Sequence, residues 1–214
     1  MLADGGLRHP GRMSDLFSSL SAAEHFRDLA CVGYYNGNTG LAQGFAEAAE
    51  AIFSAWQSRP RSNDRLLPPI AYNYRHALEL ALKQAIRQAA ACRQLDGDDD
   101  PGLTPQALEA HFKQKQRHRL GPLAQQLAGL LADLDLDELP PDTMHLLRSL
   151  HQLDPTGEAF RYEGHLNTSA SHVDVTRLVE RFRATFDVIH GGVLAVLDQY
   201  TDFLHEMREA YIPG

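Results

Sequence analysis

Apolar side chains return every three or four positions along most of this chain, and nowhere do they alternate with polar ones over the length of a strand. Ala22, Phe26, Leu29, Ala30 and Gly33 predict a helix from Ser21 to about Tyr34, which Asn36-Gly37-Asn38-Thr39-Gly40 breaks. No alternating run flanks that break, so its Asn-Gly pair predicts no hairpin. A second helix, Leu41 to Gln57, carries Phe45, Ala48, Ala49, Ile52, Phe53 and Trp56 on one stripe, and Arg59 to Asp64 is a linker. Leu67-Pro68-Pro69 opens a third helix reaching about Cys92, with Ala71, Tyr74, Leu78, Ala81, Leu82, Ala85 and Ala89 on one face. Thr104-Pro105 reads as a cap followed by proline at the first helical position, starting a short helix to about Gln114. His118 to Leu134 is a further helix, with Pro122 as an alternative start, and Pro140-Pro141-Asp142 begins one that ends near Leu153. Asp154 to Ser171 is irregular. From Val173 to Tyr211, apolar residues fall at 175, 178, 182, 186, 189, 193, 196, 200, 203 and 207. A straight helix over that span would approach ~60 Å, so Gly191-Gly192 is expected to kink or divide it.

The fold this predicts is all-α: an antiparallel helical bundle with a long, Gly-kinked C-terminal helix. Residues 1–14, with Gly5, Gly6, Pro10 and Gly11, read as a flexible leader, and 15–214 as a single helical domain.

Composition changes this picture little. The 214 residues are 43% hydrophobic and 22% charged, which excludes wholesale disorder. A chain of this length can bury roughly 70% of its unfolded surface and needs no disulfide or metal to fold. The net charge of −8 argues against non-specific nucleic-acid binding by the whole surface, while leaving room for a local basic site. Cys31 and Cys92 fit no metal or redox spacing and read as free thiols, which points to the cytoplasm. The N-terminus lacks an apolar core of signal-peptide length. The longest uncharged run, Leu29 to Ala46, contains four glycines and several polar residues, so no membrane partner is expected.

Most catalytic and metal motifs are absent. Asp96-Gly97-Asp98-Asp99-Asp100 begins like an EF-hand loop, but Pro101 stands at the sharp-turn glycine position and Ala107 at the bidentate glutamate position. His145 and His151 are six apart and lie on different helix faces. No metal site and no cofactor is predicted.

Three clusters and one basic stretch carry the candidate chemistry. Arg75, Glu79, Lys83 and Arg87 fall four apart along one side of the third helix, next to His76. They form either a surface ladder of ion pairs or a partly buried polar edge on which Glu79 orients an arginine from elsewhere. Phe160-Arg161-Tyr162 interrupts an irregular segment. Its rings either pin the loop to the bundle while Arg161 reaches a buried carboxylate such as Glu79, or the triplet cradles a nucleotide by charge and stacking. Arg75, His76, Glu79, Phe160, Arg161 and Tyr162 are therefore the candidate ligand-binding residues. Arg183, Asp187 and His190 share a flank just before Gly191-Gly192. They are either an ordinary i, i+4 ion pair with a core-rim histidine, or an acid–base set able to move a proton and stabilise a phosphorane. Lys113, Lys115, Arg117 and Arg119, with His118 among them and no acid, are candidates for an RNA backbone or a solvated loop.

Taken in order, Tyr-Arg-His-Ala-Leu-Glu-Leu-Ala-Leu-Lys (74–83), His-Arg-Leu-Gly-Pro-Leu (118–123) and Leu-Asp-Pro…Phe-Arg-Tyr (153–162) resemble bacterial HEPN-like helical proteins, the higher eukaryote and prokaryote nucleotide-binding superfamily. The resemblance covers roughly residues 41 to 205. It implies an antiparallel bundle, a homodimer and, in some members, metal-independent RNA cleavage in toxin–antitoxin or phage-defence systems. Catalytic members carry an Arg, four to six residues, then a His; Arg183 and His190 fit that pattern, with Ala184 where a polar residue often stands. Two readings follow. The chain is a helical module binding a nucleotide, RNA or a partner protein, or it is an endoribonuclease. In the second, His190 assists attack of a ribose 2′-hydroxyl and Arg183 stabilises the phosphorane, in a composite site at a homodimer interface.

Overall fold

Six-residue or longer apolar stripes at helical spacing become helices throughout the described part of the chain. The structure, a computed structural model, describes residues 38–58, 63–161 and 172–210. Helix α1 (Asn38–Ser58) leads through a short 3₁₀ turn into α2 (Leu67–Leu95), whose prolines occupy the first turn, where no backbone donor is needed. Helix α3 (Pro105–His111) is capped by the Thr104 hydroxyl, which accepts from the Ala107 amide, and runs into a π-helical turn, Phe112–Gln116. Helices α4 (Leu120–Asp133), α5 (Pro141–Leu153), α6 (Val175–Phe186) and α7 (Leu194–Ala210) complete the bundle, and no strand occurs among the described residues. The predicted leader and the helix placed at Ser21–Tyr34 lie outside the described residues. No described helix is long and apolar enough to cross a membrane.

Helix α2 is the axis. Ala71, Ala77, Ala81, Ala85, Ala89 and Ala90 are all buried on it, and side chains this small let α1, α4, α6 and α7 approach it from several sides. Contacts of Glu50 with Tyr74 and Phe45 with His76 set α1 antiparallel to α2. Glu79–His118 and Arg93–Asp133 set α4 alongside α2 in the same direction, as Tyr74–Phe182 and Gln88–Asp198 do for α6 and α7. The chain returns for the second parallel pass through α5, which is antiparallel to α4. Where α4 and α5 cross, a Cβ on Gly121 would lie 2.6 Å from Cδ2 of His151. Gly121→Ala should therefore cost about 1–3 kcal/mol of stability by overpacking, read as a lowered urea midpoint. A change below 0.5 kcal/mol would show that the His151 ring simply swings aside.

Boundaries differ from expectation at five places. Helix α1 starts at Asn38, inside the 36–40 stretch expected as a break and three residues before Leu41. Helix α2 runs three residues past Cys92, α3 hands over to the π turn before Gln114, and α4 starts at Leu120, neither at His118 nor at Pro122. The irregularity expected at Gly191-Gly192 takes the form of a π-helical stretch, Asp187–Val193, between α6 and α7. A Cβ on Gly191 would meet nothing within 4 Å, so close packing does not require glycine there. The acidic loop after α2 is folded by its own carboxylates. Asp98 pairs with Arg93 and accepts from the Asp100 amide, and Asp100 accepts from the Gly102 amide.

Candidate functional site

A buried ionic network joins α2 to the segments before α4 and after α5. Arg75 and Glu79 are each 2% exposed and Asp154 is 1% exposed, so of the two readings of this α2 edge, surface ladder or buried polar edge, the buried one holds at these two positions. Asp154 and His118 decide between the two, because they come over the edge from other elements and cover it. Asp154, just past the end of α5, does two jobs. Its Oδ1 accepts the backbone N–H groups of Gly157, Glu158 and Ala159 at 2.8, 2.9 and 3.1 Å, closing the turn. Its Oδ2 lies 2.8 Å from Arg75 Nε, an ion pair whose N–H does not align as a hydrogen bond. Arg75 Nη2 donates to the carbonyls of His118 (2.6 Å) and Asp154 (3.2 Å), and Nη1 lies 3.5 Å from Glu79. Burial pulls the Arg75 pKa down against the opposing pull of Asp154 and Glu79.

Among the described residues, the charged and polar partners of Glu79 are cations and imidazoles. Lys83 Nζ donates to it at 2.7 Å, and His118 Nδ1 sits 3.0 and 3.1 Å from its two oxygens. His76 Nδ1 is 3.9 Å away, beyond hydrogen bonding. Burial raises the Glu79 pKa, but His76, Lys83 and His118 outweigh it and hold the carboxyl down at about 2. A carboxylate can only accept, so His118 donates from Nδ1. Gly157, at φ +84°, packs on this assembly: a Cβ there would lie 2.7 Å from His118 Cβ and 3.0 Å from Arg75 Nη1.

Among the described residues, the buried carboxylates Glu79 and Asp154, which one of the two readings offered to Arg161, pair with other residues. Arg75, one helix turn from Glu79, pairs with both. Arg161 Nε donates to the Gly157 carbonyl at 2.9 Å, and its guanidinium lies 5.8 Å from the Tyr72 ring centre. Phe160 is half-buried against the core, and Tyr162 lies outside the described residues. His76 sits between Phe45 (4.4 Å, edge-on) and Tyr72 (6.0 Å, stacked).

Outside this network a cleft of about 490 Å³ opens between α2 and the π turn. Lys83, Arg87, Lys113, Arg117 and His118 line it, with Glu109 on its rim and Phe112 beneath. Arg87 donates through Nε (2.7 Å) and Nη2 (2.5 Å) to Glu109, lies 5.0 Å from the Phe112 ring centre, and keeps a buried Nη1 with no hydrogen-bond partner. Lys113 and Arg117 are exposed and have no carboxylate at ion-pair distance among the described residues. Arg117 holds φ +45° and ψ −108°, a backbone conformation that side chains other than glycine rarely adopt; its amide closes the π turn on the Phe112 carbonyl at 2.6 Å. Of the predicted backbone-binding residues, Lys113 and Arg117 come together here; Lys115 and Arg119 do not line the cleft.

The Arg183 cluster lies on a different face, where α1 meets α6. Arg183 donates to Glu50 through Nε (2.8 Å) and Nη2 (2.7 Å), and the Tyr74 hydroxyl donates to the same carboxylate. Arg183 lowers the Glu50 pKa, while burial, with Glu50, raises that of Tyr74. The i, i+4 partner Asp187 is passed over because Glu50 meets the guanidinium fork along both N–H directions. Asp187 is exposed at the start of the π stretch, and the half-buried His190 stacks on Phe186 at 4.7 Å.

Sequence reasoning missed His118 and Asp154 as partners of the α2 edge, and Lys83 and Arg87 as part of the basic site. The signal was present in the four-residue spacing that aligns Lys83 and Arg87 with Glu79. Compared with known protein families, curated proteins and solved structures, the chain finds no match.

Proposed function

We propose that this protein is a HEPN-like helical module that binds the phosphate groups of a nucleotide or RNA in the cleft between α2 and the Phe112–Gln116 turn. One observation carries the reading. Lys83, Arg87, Lys113, Arg117 and His118 converge on one cleft in a chain whose net charge is −8. Such a local positive field focuses anions against the sign of the whole surface. Three of the four cations are anchored: Lys83 on Glu79, Arg87 on Glu109 and the Phe112 ring, Arg117 on a constrained turn. Preorganisation of this kind lowers the ordering entropy lost on binding.

The endoribonuclease reading places Arg183 on a scissile phosphate. In the described residues that guanidinium is engaged by Glu50 and does not line the basic cleft, so the binding-module reading is the better supported one. The test is fluorescence anisotropy with a labelled single-stranded RNA at several salt concentrations, with EDTA present. Lys113→Ala should weaken binding and reduce the salt slope by roughly one. His190→Ala should leave binding unchanged and the RNA intact. RNA cleavage that disappears in His190→Ala would replace this proposal with the enzymatic one.

A further inference from the structure

Resting on the phosphate-binding reading above, we infer that the cleft recognises a terminal phosphate monoester, the 5′-phosphorylated end of a nucleotide chain or a free nucleoside monophosphate, in preference to an internal phosphodiester.

Charge is the first argument. Lys83, Arg87, Lys113 and Arg117 bring four cations to the cleft, and Glu109 and the buried Glu79 bring two carboxylates, which leaves two positive charges without a counterion. A monoester near neutral pH carries close to two negative charges, because its second pKa is about 6. An internal diester carries one. The match is therefore to the monoester, and in a site walled by protein the unmatched charge of a bound diester is felt more strongly than in water.

The donors point the same way. The Nη1 group of Arg87 is buried without an acceptor, and Lys113 and Arg117 have none from a carboxylate among the described residues. A terminal phosphate offers three unesterified oxygens to such a set, and a diester offers two.

Arg117 supplies an independent observation. At φ +45° a glycine or asparagine is the inexpensive residue, yet the chain keeps an arginine, which turns a long cationic side chain into the cleft. Recognition stops at the phosphate. The Phe112 ring is 3% exposed beneath Lys83 and Arg87, so it gives a base no face to stack on.

The experiment uses the full chain and two 3′-fluorescein tetranucleotides of one sequence, one with a 5′-phosphate and one with a 5′-hydroxyl, read by anisotropy. The 5′-phosphate probe should bind roughly tenfold tighter or more. Unlabelled adenosine 5′-monophosphate should displace it where adenosine does not. Arg117→Gly should bring the two probes to the same affinity without lowering the melting temperature, since glycine relieves the backbone at that position. Equal binding of both probes by the wild type would overturn the terminal-phosphate inference and leave phosphate binding standing. Binding of neither would overturn both. An Arg117→Gly protein that still prefers the 5′-phosphate would remove Arg117 from the site and with it this account of the selectivity.

Discussion

Asp154→Ala should destabilise the protein by about 3–5 kcal/mol, the cost of leaving a buried charge without its counterion. The charge in question is Arg75, 2% exposed, for which Asp154 is the nearest carboxylate at 2.8 Å. Glu79 sits farther off at 3.5 Å and is shared with Lys83 and His118. The same substitution removes the acceptor of three backbone N–H groups, so the turn carrying Gly157 loosens as well. These two losses separate experimentally. Asp154→Asn keeps an oxygen for the turn but no charge for Arg75 and should fall between alanine and wild type. Adding Arg75→Met to Asp154→Ala removes the stranded cation and should recover part of the loss, while the turn remains uncapped. Urea unfolding of the four proteins checks this. A single Asp154→Ala change of less than 1 kcal/mol would mean that water replaces the carboxylate, and that the network is not the closed interior described here.

This network also shows where the sequence was legible. Helix positions could be read because burying one face of a helix imposes a period on the chain, and that period survives in α1, α2, α5 and the long C-terminal segment. The prolines at 68, 69, 105 and 141 mark first turns for an equally local reason, since the first helical amides need no acceptor. Partners across the fold leave no such trace. The spacing of Arg75, Glu79, Lys83 and Arg87 places them on one side of α2, but solvated and buried edges share that spacing. Asp154 and His118 decide between them, and they arrive from 79 and 39 positions away along the chain. Arg183 illustrates the same point. Its expected neighbour was Asp187, one turn on, and its actual partner is Glu50, 133 residues earlier. The basic stretch 113–119 was visible as composition. The π turn that sends Lys113 and Arg117 toward Lys83 and Arg87, and leaves Lys115 out of the cleft, was not, because nothing in the periodicity distinguishes a π turn from the end of an α-helix.

Acid should unfold the protein partly through Glu79. Its carboxyl is held at about 2 in the folded chain against an ordinary 4.5. A depressed folded-state pKa means that the unfolded chain takes up the proton first as pH falls. The stabilisation is therefore complete above about pH 4.5, declines between that value and about pH 2, and is gone below. A difference of this size corresponds to about 3 kcal/mol. Glu79→Gln keeps the side-chain shape but has nothing to titrate. It should be less stable than wild type at pH 7, because Lys83 and Arg75 lose their anion, and the gap should narrow steadily as the wild type is acidified. His118 provides a second readout of the same event. With Glu79 as its acceptor the ring is fixed at the mouth of the cleft; with glutamine in its place the ring is held less firmly, and binding of a phosphate probe at pH 7 should weaken along with stability. Urea midpoints for both proteins at pH 7, 4.5 and 3 test the linkage. Parallel losses in wild type and Glu79→Gln over that range would assign the acid sensitivity to other carboxylates and deny Glu79 its place at the centre of the buried network.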